Sequence, residues 1–226
     1  MKANFAQRAI TLTILLLLLF SCQKDKQVAP QPMRDLTGHN ISGIIQYESE
    51  VPSPFLFAPV SPSKATIVAW GYRFTIDYAI ENGKLKASGN FIGLGETTMT
   101  ADVYNTRIEN PVFIARNVDG NYTITEAVIE KKMTGNPLRG RSFASGSVGN
   151  YDSITLRFDN DPTTLRYFTI FHGKQVMIPS ESKYQLHQNV GITSSGNCNT
   201  GVLVQDKLQV RLKLGDQYYQ IAFKSK

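Results

Sequence analysis

Residues 72–87 read YRFTIDYAIENGKLKA, and this stretch sets the fold class. Tyr72, Phe74, Ile76, Tyr78 and Ile80 alternate with Arg73, Thr75, Asp77 and Ala79, the period of two expected of a strand with one wet face. Asn82-Gly83 then separates YAIE from KLKA. Both central residues of a type I′ turn need positive φ, and Asn-Gly meets that need at little steric cost, so the stretch predicts an antiparallel hairpin.

The pattern recurs downstream. Ile154, Leu156 and Phe158 alternate with Ser153, Thr155 and Arg157, while Leu208, Val210, Leu212 and Leu214 alternate with Gln209, Arg211 and Lys213. Asp119-Gly120 precedes NYTITEAVIE, and Gly215-Asp216 joins the last two strands, which end on Tyr219, Ile221 and Phe223. Turn signals recur roughly every 10 to 15 residues without an amphipathic helix of three turns, so the expected class is all-β and antiparallel. Sequential hairpins from Lys84 to Phe158 predict a meander that closes as an up-and-down barrel or folds over as a sandwich. The Gly/Ser-rich segment 133–150, MTGNPLRGRSFASGSVGN, offers an alternative split near residue 135 into two β-sandwiches. Because SFASGSV still alternates apolar with small residues, a single β domain over 39–226 is the preferred expectation.

The amino terminus carries different information. Lys2 and Arg8 supply a positive start, Ile10 to Phe20 an apolar run broken only by threonines, and Ser21 a small residue before Cys22, the parts of a secretory signal over residues 1–21. The run is too short for a membrane span, which needs about 20 apolar residues. Gln23, Lys24, Asp25 and Lys26 follow at once. Leu19-Phe20-Ser21-Cys22 resembles the lipobox of bacterial lipoproteins. Phe20 stands where a small or branched residue is usual, a looser pattern similar to that of Bacteroidetes-type lipoproteins. The resemblance covers only the leader and implies that the Cys22 thiol carries a diacylglycerol and the freed amine a further acyl chain. Several chains, each buried methylene contributing about 0.8 kcal/mol, hold a protein on the membrane in effect permanently. The implied address is the bacterial cell envelope, with lipid anchoring in the outer membrane, and the periplasmic and surface faces are both open because Asp25 stands alone between Lys24 and Lys26.

Residues 22–38 are polar, with Pro30 and Pro32 and no apolar periodicity, as expected of an extended tether. The chain has two cysteines, so acylation of Cys22 leaves Cys198 without an intramolecular partner and excludes a disulfide-stapled scaffold. Cys198 sits in SSGNCNTG, which reads as a loop. Loss of residues 1–21 removes Lys2, Arg8 and no acid, lowering the formal charge from +6 to +4. Residual basicity favours anionic surfaces such as headgroups or an acidic glycan. The charges are spread, without the Lys/Arg run or basic helix that nucleic-acid binding requires.

Catalytic patterns are thin. Gly140-Arg141-Ser142-Phe143-Ala144 approximates a nucleophile elbow, a motif that works only on a strand-to-helix turn, and no helix is expected there. Asp159-Asn160-Asp161 lacks the glycine and distal glutamate of a calcium loop and runs into Pro162, so a tight turn before Leu165 explains it better. His39, His172 and His187 are too far apart for a local metal site. No cofactor, metal or catalytic residue is therefore assigned. Histidine, arginine and tyrosines on one sheet face resemble, in residue type alone, the set used by polysaccharide lyases, where a cation neutralises a uronate and Tyr or His takes a proton. Trp70, the single tryptophan, and Tyr72 fall on one face if IVAWGYRF is a continuous strand. Paired aromatics form either core or a platform for a sugar ring, and Gly71 between them suits a bulge or a close approach. The leading expectation is a non-enzymatic envelope module that binds a glycan, lipid or protein. A small polysaccharide-active enzyme and a purely structural envelope protein are the alternatives.

Overall fold

The computed structural model describes residues 29–91, 94–116, 122–176, 182–194 and 198–226. The leader, Cys22, the start of the spacer and the Asp119-Gly120 turn lie outside the described residues. The protein is all-β and antiparallel, as the period-two runs predict.

Eight strands, β1 (His39–Tyr47), β2 (Ser53–Pro59), β3 (Lys64–Ala69), β4 (Tyr72–Glu81), β5 (Lys84–Phe91), β6 (Gly95–Val103), β7 (Ile108–Ala115) and β8 (Tyr122–Lys131), pair in chain order. β8 returns to β1, with Ile41 opposite Ile129, so the meander closes as an up-and-down barrel rather than a sandwich. Closure leaves no open ladder edge. Asn82 and Gly83 adopt φ of 51° and 78° in the β4–β5 turn, the conformation expected of Asn-Gly. Phe57, Ile67, Ile76, Leu85, Met99 and Phe113 fill the barrel with the other inward residues of its strands. Residues 32–38, at the end of the polar spacer, lie against this barrel. Pro32 bridges Tyr104, the Met33 amide donates to the Val103 carbonyl at 2.9 Å, and Leu36 is fully buried.

A second ladder begins after Lys131. It contains β9 (Ser142–Ala144), β10 (Ser153–Phe158), β11 (Thr164–Phe171), β12 (Lys174–Val176), β13 (Ser182–His187), β14 (Gly191–Ser194), β15 (Cys198–Val204), β16 (Lys207–Leu214) and β17 (Gln217–Ser225). Their order is β10-β9-β17-β16-β15-β14-β13-β11-β12, and β10 also pairs with β11, so this ladder too returns on itself, with β12 appended to β11. Segment 133–150 holds the connection and the short β9, which pairs with both β10 and β17. Pro32 to Lys226 form one compact unit.

The two ladders meet on β2. Every residue of SPFLFAP is buried. The strand pleat sends successive side chains to opposite faces, so Phe55 and Phe57 enter the barrel while Leu56 and Ala58 join the core of the second ladder beside Ile192 and Leu208. Val68, opposite Leu56 on β3, joins the same core. The fit is close, because a Cβ on Gly191 would stand 2.6 Å from Leu56 Cδ2. At the far end of the joint the Gln205 amide donates to Glu130 Oε1 at 3.0 Å, tying the β15–β16 turn to β8.

His187 lies beside this joint at the end of β13, with Nε2 2.8 Å from Thr193 Oγ1. Burial pushes its imidazole down to about 4, and the Arg73 guanidinium pushes in the same direction. Between pH 6.5, the ordinary value, and about 4 the unfolded chain therefore binds a proton that the native chain does not. Stability is full above this window and falls as pH drops through it. Urea melts taken from pH 7 to pH 4 are expected to show this slope, and His187→Gln is expected to flatten it.

Candidate functional site

Trp70 and Gly71, with φ of 50° and 84°, form the two-residue turn between β3 and β4. Ala69 and Tyr72 are the last pair of that hairpin, so the chain reverses between Trp70 and Tyr72. The expectation of one continuous strand carrying both aromatics on a shared face is corrected accordingly. A two-residue hairpin of this hand requires positive φ at both positions. Glycine meets that requirement freely, whereas an aromatic side chain in the left-handed region costs of order 1 kcal/mol.

Both residues of the turn are held by hydroxyls. The Trp70 amide donates to Oγ of Ser53 on β2 at 2.9 Å, and the Gly71 amide donates to Oγ1 of Thr200 on β15. Ser53 and Thr200 are fully buried. A side chain at position 71 would have to displace that of Asn199, since its Cβ would stand 2.5 Å from Asn199 Nδ2. Gly71 thus marks a close approach, one of the two roles its sequence context suggested.

The clamped turn places the indole at the mouth of the barrel. Trp70 packs edge-to-face on Tyr122 at 5.7 Å and Phe113 at 6.5 Å, with one side on the core and the other on a cleft. Tyr122 in turn lies 4.9 Å from Tyr47. Tyr72 stacks on Phe74 at 6.0 Å and is 65 % exposed. These barrel residues line one wall of an open cleft of about 560 Å³, together with Glu50 of the β1–β2 turn. The second ladder supplies the other wall through Asn199, Arg211 and Tyr218.

Across the last hairpin Lys213 is paired with Tyr218, and Arg211 with Gln220. The Arg211 guanidinium lies over the Tyr218 ring at 4.2 Å and the Lys213 ammonium at 5.9 Å, within range of cation–π attraction. Arg211 Nε is buried and makes no hydrogen bond. Burial raises the Tyr122 hydroxyl above its ordinary value, with Tyr47 and Glu50 adding to the effect, so this group keeps its proton at neutral pH.

The other residues singled out in the sequence lie elsewhere. His172 takes φ of 49° in the β11–β12 turn and packs on Phe171 at 4.2 Å. Ser142 opens β9 between two strands. Asp161 caps the β10–β11 turn, accepting from the Thr164 and Thr163 hydroxyls, contacts that with Lys183 hold its carboxyl down to about 2. Asp159 pairs with Arg166 at 3.0 Å. Cys198 begins β15 rather than lying within a loop. Among the described residues, no group of His, Cys, Asp and Glu is arranged to hold a metal.

Arg211 and Tyr218 were legible only as outward residues of a hairpin. The signal that joins them is the Gly215-Asp216 turn, from which counting outward sets Lys213 opposite Tyr218 and Arg211 one diagonal away. No family model, curated protein or solved structure matches this chain.

Proposed function

We propose that the protein is a lipid-anchored module of the bacterial cell envelope, held through Cys22 in the outer membrane, that binds a glycan in the Trp70 cleft without catalysing its conversion. The observation that carries this reading is a tryptophan kept in a left-handed turn where asparagine is the favoured residue. Backbone strain of this kind collects at functional sites, and here it aims an indole into an open cleft beside Tyr72. The cleft volume falls within the range of about 300–1,000 Å³ usual for small-ligand sites. Aromatic faces backed by polar rims suit sugar rings, whose axial C–H faces are apolar and whose edges carry hydroxyls.

Binding is favoured over catalysis by the state of Tyr122. A lyase-type base has to take up a proton near neutral pH, and the Tyr122 hydroxyl is displaced the other way. The closed barrel interior is filled by side chains, which favours a ligand at the mouth over a lipid within.

Titration of the protein with a neutral tetraglucoside and a tetragalacturonate is expected to change Trp70 emission for at least one of them. Trp70→Asn substitutes the residue that the turn prefers, so it should retain the strand signature in circular dichroism and lose binding measured by calorimetry. Unchanged affinity in that variant, or silence of the native indole towards both sugars, would contradict the glycan reading. For the anchor, Cys22→Ala is expected to accumulate as an uncut, unlipidated precursor. Recovery of the native mature mass in the membrane fraction would remove that part of the proposal.

A further inference from the structure

Resting on the glycan reading of the cleft, we propose that Arg211 is its anion-reading residue, so that the ligand is an acidic sugar whose carboxylate sits on the guanidinium. β16 delivers Arg211 to the cleft that Trp70 also lines, beside Thr200, to which the turn glycine is bonded. The lower face of its guanidinium is covered by Tyr218 at 4.2 Å. This contact holds the guanidinium at the cleft lining. Nε is enclosed by the protein and the residue lines the cleft, so the terminal N–H groups are the ones a ligand can reach, and among the described residues no carboxylate stands within ion-pair distance of them. A planar carboxylate fits the terminal pair of N–H groups through two parallel hydrogen bonds.

The neighbouring charges agree. Lys213 shares the Tyr218 face and adds a second cation. Among the described residues Glu50 is the one acid in the lining, and it is exposed. Water screens an exposed carboxylate more than a half-buried guanidinium, so Glu50 is suited to accept from sugar hydroxyls without cancelling the attraction at Arg211. An acidic ring that stacks on Trp70 can therefore place its carboxylate at the far wall and its hydroxyls at the near one.

The test compares tetragalacturonate, tetraglucoside and tetraglutamate on the full-length protein in detergent. Tetragalacturonate is expected to bind best, with affinity that weakens as salt rises from about 50 to 300 mM. Arg211→Gln should weaken it about tenfold or more and abolish most of the salt dependence, as loss of a charge-assisted fork requires, while leaving tetraglucoside binding unchanged. Arg211→Lys, which keeps the charge and loses the fork, should fall between the two. Thermal melts of both variants establish that the fold is intact. Equal affinity for the acidic and neutral sugars, equal losses for both in Arg211→Gln, or preference for tetraglutamate would overturn this inference and leave the cleft itself standing. If neither sugar binds the native protein, the glycan reading and this inference fall together.

Discussion

One strand, β2, lies in two hydrophobic cores at once. Phe55 and Phe57 pack inside the first barrel, and Leu56 and Ala58 pack into the second ladder. A strand normally has one face available for water, and burial of the second face here joins the ladders without a long linker or a disulfide. Each fully buried Leu or Phe contributes about 1.5–3 kcal/mol, so few side chains are needed to couple the two halves. Leu56 packs so close to Gly191 that a Cβ there would stand 2.6 Å from its Cδ2.

The cleft follows from that union. Ser53 at the start of β2 and Thr200 on β15 bind successive amides of one turn, so the position of Trp70 depends on both ladders. The barrel alone offers aromatic faces, and the second ladder alone offers Arg211 stacked on Tyr218. Neither wall by itself encloses a ring. The site therefore exists only as long as β2 holds the two together.

Much of the fold was legible because strand periodicity and turn chemistry agree locally. YRFTIDYAI, the Asn82-Gly83 turn and the run from Leu208 to Phe223 all take the conformations their patterns predict. The closure of each ladder was not legible, since which strand pairs with β1 or β10 depends on contacts far apart in sequence. The joint left a weaker signal. SPFLFAP is a continuous apolar run, the pattern of a strand buried on both faces, and it contrasts with the alternating strands around it. At the site, sequence singled out Trp70 and Tyr72 but misjudged how they are related, because Trp-Gly in a turn is disfavoured by its tryptophan. Arg211 looked like any solvated strand residue, and only the opposite wall gives it a role.

The dependence of both halves on β2 is tested most directly by native-state hydrogen exchange on the full chain, read at the amides of Phe55 to Ala58 and of Leu208 to Leu212. Cooperative units exchange with a common opening free energy. Both sets of amides are expected to exchange through one opening with the same free energy and the same denaturant dependence. Release of the Leu208 to Leu212 amides through a lower-energy opening that leaves β2 fully protected would contradict the account, since it would mean that the second ladder unfolds without disturbing the strand said to join it.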